Sequence, residues 1–197
     1  GAGAVLLAAV ALGSACDRPS VLVCGSTSGS SLTNDDILFR RDPSFLGADG
    51  AYSASLGGDR VLWMFGDSFV KKTGSTSRRD SAFVRNTVAV QTGHDPTSAS
   101  LQYVWRGGST APSSFVPEAK DLWYWPMGAA LGNGRLFLFY VAEKAGSGGL
   151  GFEAAGNRVM TVEDPSLPPL SWTLVDRTFP VPTGTYTLLA PLVDGDQ

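Results

Sequence analysis

Three carboxylates are the residues of this sequence with the clearest chemical potential. Asp49 lies in the segment LGADG, Asp67 follows the apolar run LWMFG, and Glu118 lies in FVPEAKD. Carboxyl groups serve enzymes as general acids, general bases and nucleophiles. Cleavage of a glycosidic bond generally uses two of them, roughly 5 Å apart for retention of configuration or about 6.5–9.5 Å apart for inversion.

Each of these carboxylates also has a purely structural interpretation. An Asp that follows a Gly at a strand end, as Asp67 does, commonly caps a turn by accepting hydrogen bonds from backbone N–H groups. The same holds for Asp49, although its apolar setting offers few other polar groups. Glu118, with Asp121 behind it, fits a solvated loop charge equally well. If Asp67 ends a buried strand, its charge must be paired, and Arg85 is an available partner.

Aromatic and polar residues near the predicted strand starts are candidates for binding a sugar. Tyr52, Trp125 and Tyr186 lie at or just before such starts, where a ring can stack on the apolar face of a furanose or pyranose. Arg85 and Asn86, in VRNTVAV, are placed to bind hydroxyl groups, and Arg85 alternatively to pair with a carboxylate.

These residues are separated by short strands rather than by helices. The 197 residues include 24 Gly and 12 Pro, and only 17% are charged, which favours an all-β chain with many turns. Short β-branched or aromatic runs between turn residues predict strands. The predicted strands are 61–65, 86–91, 101–105, 135–141, 158–162, 171–175 and 186–193.

One hairpin pattern occurs three times. The segments 52–68, 124–141 and 186–197 each have an aromatic start, an apolar strand and a tight Gly, Asp or Asn turn. The spacing leaves room for about four strands in each unit, which is the size of a large β-propeller blade. A closed propeller needs at least four blades, whereas the third repeat stops at Gln197. We therefore expect a fragment with about two and a half blades.

The N-terminal segment has the pattern of a targeting sequence. The run AVLLAAVAL is too short to span a bilayer but suits a signal peptide, so residues 1–15 are expected to be a truncated one. Residues 16–34 read as a Ser/Gly-rich tether, and 35–197 as the partial propeller. Cys16 and Cys24 either form a disulfide after ordinary cleavage, or Cys16 is lipidated. Both routes predict a secreted or cell-envelope protein, with membrane contact only through that lipid.

Composition and motifs exclude several other functions. A net charge of -3 with no basic stripe argues against nucleic acid as a partner. His94 is the single histidine, so neither a zinc cluster nor a Ser-His-Asp triad has its parts here. No loop signature supports calcium, and the Gly-rich segment AGSGGLG lacks a P-loop lysine. We therefore expect no cofactor and no metal.

The segments ADGAYS, LWMFGDSF, VRNTVAV, YWPMGAAL and VDGDQ together resemble a family catalogued as domain of unknown function 4185. The resemblance runs from about Asp49 to the C-terminus. It implies a secreted bacterial protein with a five-bladed β-propeller, and some members are classified in glycoside hydrolase family 183, acting on D-arabinan. More distantly, Asp49 is similar in position to the general base of the five-bladed arabinanases of family 43.

The expected function is therefore a secreted or surface-anchored glycoside hydrolase acting on a furanose-containing polysaccharide. Asp49 would be the general base or nucleophile, Asp67 would orient a residue or the substrate, and Glu118 would be the acid. Relatives often carry an acidic residue after the Trp-Pro pair, where this sequence has Met127. The alternative is a non-catalytic carbohydrate-binding or adhesion propeller of the cell envelope, and a purely structural envelope protein comes third.

Overall fold

The computed structural model describes residues 34–178, which are almost entirely β-structure. One short helix, α1 (Asn34–Arg40), and one 3-10 helix at Pro169–Ser171 accompany eleven strands in this part of the chain. The strands are β1 (Phe45–Ala48), β2 (Tyr52–Gly57), β3 (Arg60–Phe65), β4 (Ser68–Val70), β5 (Ala82–Val84), β6 (Thr87–Thr92), β7 (Ser100–Val104), β8 (Leu122–Gly132), β9 (Arg135–Ala145), β10 (Phe152–Val162) and β11 (Val175–Asp176). The all-β prediction is confirmed, although α1 was not predicted.

The first four-stranded sheet has the order β2-β3-β6-β7, with all neighbours antiparallel. The β2–β3 hairpin turns at Gly57 and Gly58, whose φ angles of +86° and +60° favour glycine. Along β6 every residue from Thr87 to Gln91 is buried, so both faces of the sheet are covered there. The sequence predicts β3, β6 and β7 to within one residue.

The second four-stranded sheet has the order β8-β9-β10-β11 and is also antiparallel. Asn133 and Gly134, with φ of +50° and +73°, form the β8–β9 turn, as expected for an Asn-Gly hairpin. Strands β8, β9 and β10 each have eleven residues, and β9 and β10 extend well beyond the predicted runs. The predicted strand 171–175 is wrong, because the Pro-rich segment before it forms the 3-10 helix and strand pairing starts only at Val175.

A bulge interrupts the pairing of β8 with β9. Pro126 faces Tyr140 and Gly128 faces Phe139, which leaves Met127 as the additional residue. Strand β8 is an edge strand of its sheet, where proline is tolerated because its missing N–H faces away from the ladder.

The two four-stranded sheets share one hydrophobic core. Burial of a large apolar side chain contributes about 1.5–3 kcal/mol to the free energy of unfolding. Because residues of both sheets are buried in this core, it holds the first sheet against β8. Its most deeply buried members are Leu62, Met64, Val88, Phe115, Tyr124, Leu136, Leu138, Tyr140 and Val162. Because side chains alternate along a strand, Trp125 projects from β8 on the face opposite to Tyr124.

A third sheet, with the order β1-β4-β5, was not predicted from the sequence. Its strands have only three or four residues, which is too few for a period-2 pattern to be recognised. The ring of Phe45 stacks on Tyr103 at 3.8 Å between ring centroids, and both pack near Phe65. This second, smaller cluster anchors β1 to the first sheet.

The buried side chain of Asn86 ties a loop and a strand to the corner between β5 and β6. Its amide nitrogen donates to the backbone oxygens of Val116 (3.2 Å) and Tyr124 (2.9 Å), and its Oδ1 accepts from the Val116 N–H (2.7 Å). Both N–H groups and the oxygen of the amide are therefore used inside the fold. The substrate contact predicted for Asn86 remains a prediction, and its free hydrogen-bonding capacity is small.

Replacement of Asn86 by Ala should destabilise the protein strongly. The substitution leaves the Val116 N–H and two buried carbonyl groups without their partner, and we expect the free energy of unfolding to fall by about 2–4 kcal/mol. Urea denaturation measures this loss. Gln102→Ala, at an exposed position of β7, should change the free energy by less than about 0.5 kcal/mol. Equal effects of the two substitutions would contradict the role given to Asn86.

Candidate functional site

A cavity of about 190 Å³ lies where the segment between β1 and β2 meets the end of β3 and the middle of β8. This is smaller than the roughly 300–1,000 Å³ of sites for drug-sized ligands, and it suits a single small unit. The residues lining it are Asp49, Gly50, Tyr52, Gly66, Asp67, Trp125, Pro126, Met127 and Val141.

The backbone brings Asp49 and Asp67 to the same cavity. The Asp49 N–H donates to the Asp67 carbonyl oxygen (3.0 Å), and the Gly66 N–H donates to the Asp49 carbonyl oxygen (2.8 Å). Gly66 and Asp67 thus face the single residue Asp49, as in a β-bulge. Bulges redirect side chains near functional sites. A Cβ added to the buried Gly66 would lie 3.4 Å from the backbone carbonyl oxygen of Asp49 and 3.9 Å from Trp125 Cδ1. Glycine therefore keeps the floor between Asp49 and Trp125 open.

The Asp67 carboxylate is held by two side chains. The indole Nε1–H of Trp125 donates to Oδ1 at 2.8 Å, and Nη1 of Arg85 lies 3.5 Å from both carboxylate oxygens. The Asp67 side chain is 19% exposed, so these partners compensate a largely buried charge. The ion pair considered for Arg85 is present, while the backbone-capping alternative for Asp67 has no corresponding hydrogen bond among residues 34–178.

Arg85 is itself fixed by aromatic rings. Its guanidinium carbon lies 4.4 Å from the Trp123 ring centroid and 5.0 Å from that of Phe83, both within the range of a cation–π contact. Its backbone N–H donates to Ser114 Oγ at 3.0 Å. Arg85 is therefore a rigid support for Asp67, and its side chain is 30% exposed.

Asp49 differs from Asp67 in that its side chain is exposed. Its carboxylate makes no hydrogen bond or ion pair within the described part of the chain. It lines the cavity together with the ring of Tyr52, which is 37% exposed, and that of Trp125. The cavity thus has one fixed carboxylate, one free carboxylate and two accessible aromatic rings.

Other predicted site residues lie elsewhere. Glu118 is exposed, receives a long hydrogen bond of 3.5 Å from Ser114 Oγ, and lines a separate cavity with Arg158 and Asp176. Asp121 is exposed just before β8. The acid role of Glu118 remains a prediction, but the cavity of the two aspartates does not include it. Three further predicted residues lie outside the described residues: Tyr186, Cys16 and Cys24.

Sequence reasoning missed three residues at or near the cavity. Met127 reaches it through the bulge of β8, and a Pro inside a predicted strand run is the signal that could have revealed this. Val141 lines the cavity from β9, and Glu143 follows on the same face of that strand. Burial raises the pKa of the Glu143 carboxyl above its ordinary value. Alternation along the predicted strand from 135 would have placed both on one face.

The described residues contain neither a cluster of metal-ligating side chains nor a helix that could span a membrane. Between residues 34 and 178, no three His, Cys, Asp or Glu side chains lie close enough to hold a metal ion. No helix in that range has the length and apolar character needed to cross a membrane.

The fold and site define an all-β protein with an aspartate- and tryptophan-lined cavity between its sheets. The chain belongs to the family described as domain of unknown function (DUF5005), which matches residues 34–177. The expected membership of the family of domain 4185 is therefore wrong. Of the segments that suggested it, FGDS spans the end of β3 and the start of β4, and YWP lies within β8. Short strand and turn segments of this kind occur in many antiparallel sheets.

No curated protein matches the chain. Among solved structures, a "putative hydrolase" from Bacteroides ovatus ATCC 8483 is similar, with a TM-score of 0.56 and 18% sequence identity over 70% of this chain. The chain spans 40% of the length of that protein. At this identity the similarity concerns the fold, and it does not transfer an activity.

Substitution of Trp125 by Phe should remove the donor to Asp67 while keeping an aromatic ring. A hydrogen bond to a charged group contributes about 1.5–3 kcal/mol, so we expect a loss of this size in the free energy of unfolding. In a double-mutant cycle with Asp67→Ala, measured by urea denaturation, the two losses should be clearly non-additive. Trp105→Phe is the matched control, since its indole donates to an uncharged backbone oxygen at 3.3 Å. Additive losses in the cycle would disprove the coupling.

Proposed function

We propose that the cavity binds one unit of a carbohydrate chain and that the complete protein is a glycoside hydrolase. The observation that carries this proposal is the pairing of a free carboxylate, Asp49, with a fixed carboxylate, Asp67, beneath two accessible aromatic rings. Carboxylates and aromatic rings together are the groups that bind and cleave sugars. The solved neighbour is named a "putative hydrolase", which agrees with this class.

Each residue then has a distinct task. Asp49, which has no hydrogen-bond or ion-pair partner among residues 34–178, acts as general base or nucleophile at the anomeric carbon. Asp67 is fixed by Trp125 and Arg85, and it accepts a hydrogen bond from a sugar hydroxyl. Tyr52 and the exposed part of Trp125 stack on the sugar ring.

The proposed architecture is a β-propeller. Two successive four-stranded antiparallel sheets, each with its strands in chain order, support this proposal, as does their contact through β2 and β8. Each sheet would be one blade, and the cavity would lie near the start of two inner strands. A closed propeller requires at least four blades, so the proposal places the other blades outside residues 34–178.

The sugar and the location form the remaining part of the proposal. The expected D-arabinan substrate depended on the resemblance to the domain 4185 family, which the DUF5005 match overturns. A secreted or envelope location fits a polysaccharide substrate and the apolar N-terminal run AVLLAAVAL.

The test is sugar release by the complete gene product from a panel of furanose- and pyranose-containing polysaccharides. We expect release from at least one of them, and a loss of about 10²–10⁴-fold in the Asp49→Asn variant. The control is Asp59→Asn, which alters an exposed aspartate in the β2–β3 turn. No release from any polysaccharide by the parent protein would disprove hydrolysis.

A second candidate is a carbohydrate-binding protein without catalysis. The position of Glu118 favours it, because the residue expected to be the acid lies outside the cavity. Binding of a polysaccharide by the parent protein without turnover, weakened rather than abolished by Asp49→Asn, would establish this function instead.

Substitution of Gly66 by Ala should weaken carbohydrate binding with little effect on folding. The added methyl group would stand between Asp49 and Trp125 at ordinary contact distances, so it narrows the floor of the cavity without backbone strain. We expect a loss of about tenfold or more in affinity, measured by calorimetric titration, with Tm changed by only a few degrees. Gly149→Ala, where an added Cβ meets nothing within 4 Å, should leave affinity unchanged. Unchanged affinity in Gly66→Ala would show that the ligand binds elsewhere.

A further inference from the structure

Glu143 lies on β9 next to the wall of the cavity. Val141, which lines the cavity, is two residues earlier, so both project from the same face of the strand, about 6.6 Å apart along it. On the neighbouring strand, Trp125 pairs with Val141 and Trp123 pairs with Glu143. The cavity face of the sheet therefore continues from Trp125 and Val141 directly to Trp123 and Glu143.

One oxygen of the Glu143 carboxyl group, Oε2, is buried without a hydrogen-bond partner among the described residues. The residue is only 6% exposed, and its Oε2 is fully buried with no hydrogen bond in the described part of the chain. Its cross-strand neighbour has the same property, because the indole Nε1–H of Trp123 is buried and unpartnered among these residues. Buried polar groups are almost always hydrogen-bonded, so two unpaired groups side by side need an explanation.

No cation of the described part of the chain neutralises Glu143. Lys144 on β9 pairs with Glu153 at 3.0 Å, Arg158 on β10 pairs with Asp176 at 2.8 Å, and Arg85 pairs with Asp67. Asp121, before β8, would only add negative charge. Among residues 34–178, no ion pair includes Glu143 within 4 Å. Burial therefore acts alone, and it raises the pKa of the carboxyl above its usual range.

The fold does not require this acid. A buried, unpaired carboxyl lowers stability, and glutamine or an apolar residue would fill the same place at lower cost. Groups that cost stability without structural benefit are typical of functional sites. A carboxyl in an apolar setting against a tryptophan is also the arrangement that keeps an acid protonated near neutral pH.

We propose that Glu143 is the proton donor of the cavity, an inference that rests on the proposed glycoside hydrolysis. In the reaction, the Glu143 carboxyl gives its proton to the glycosidic oxygen as the bond from that oxygen to the anomeric carbon breaks. A water molecule adds to the anomeric carbon and gives a proton to Asp49. Proton exchange with solvent then restores both carboxyl groups, and the net reaction consumes one water molecule per bond.

The protonation state of Glu143 can be tested without any substrate. Ionisation of Glu143 beside Trp123 should change tryptophan fluorescence, so a pH titration of the complete gene product should show a transition with a midpoint above 4.5, the ordinary value for Glu. Glu143→Gln should abolish this transition, and Glu153→Gln, at an exposed position on β10, should retain it. A transition that survives in Glu143→Gln would overturn the proposal.

Thermal unfolding gives a second test of the same property. Because the folded state holds the Glu143 proton more tightly than the unfolded state, the native protein loses stability as pH rises above the ordinary Glu range. The Glu143→Gln variant does not share this loss. The Tm of the variant minus that of the parent should therefore increase between pH 4 and pH 8. A difference that stays constant or decreases would contradict a protonated Glu143.

Turnover separates an acid from a residue that only supports the fold. Glu143→Gln should lower polysaccharide hydrolysis by about 10²–10⁴-fold but preserve cleavage of an aryl glycoside whose phenolate leaves without protonation. The basic limb of the pH profile should disappear as well. Equal losses on both substrates would reduce Glu143 to a structural residue. If the parent protein shows the fluorescence transition of Glu143 but cleaves no substrate, the proposed hydrolysis is refuted. If it cleaves a substrate but lacks that transition, only the role of Glu143 is refuted.

Discussion

The two backbone hydrogen bonds that join Asp49 to Gly66 and Asp67 are the constraint on which the site depends. They lie at the point where the ladder of β1 and β4 changes over to that of β2 and β3. Gly66 and Asp67 both bond to Asp49 there, so two residues face one, as in a β-bulge. The carboxylates of Asp49 and Asp67 therefore reach one cavity, although Asp49 lies between β1 and β2 and Asp67 lies between β3 and β4. The absence of a side chain at Gly66 then leaves room for Trp125 to approach from the second sheet.

Three carboxyl groups of this region have three different electrostatic environments. Asp67 has a cation and an indole donor, and Asp49 is exposed. Glu143 is the cross-strand neighbour of Trp123, and its Oε2 is buried with no partner among the described residues. Divergent environments are how proteins obtain acids and bases from the same functional group. Arg85 contributes to this separation, since its contact with Trp123 keeps its charge beside Asp67.

The sequence predicted the central strands and much of the cavity, and the reasons for its failures are physical. Strands such as β3 and β6 have enough apolar residues for their pattern to be recognised, and Asn133-Gly134 identifies its turn directly. The sequence predicts Asp49 and Asp67 as site residues because each interrupts an apolar context. Strands β1, β4 and β5 are too short to have a readable period, and α1 has only seven residues.

The failures at the site have a different cause. The position of Glu118 before a strand start predicts a site residue, but the loop that carries it faces another cavity. Glu143 is not predictable from the sequence because a glutamate near the end of a strand normally faces solvent, and only the long pairing of β8, β9 and β10 buries it. The predicted family was also wrong, because short strand and turn motifs recur in unrelated antiparallel sheets.

Pro126 and the bulge at Met127 have a consequence for association between molecules. Strand β8 is an edge of its sheet, and an edge strand of eleven residues offers a long row of backbone groups to which another chain could add. Proline has no N–H to donate, and the bulge breaks the regular spacing that an incoming strand would need. The same two residues that line the cavity thus protect this edge against intermolecular sheet growth and aggregation.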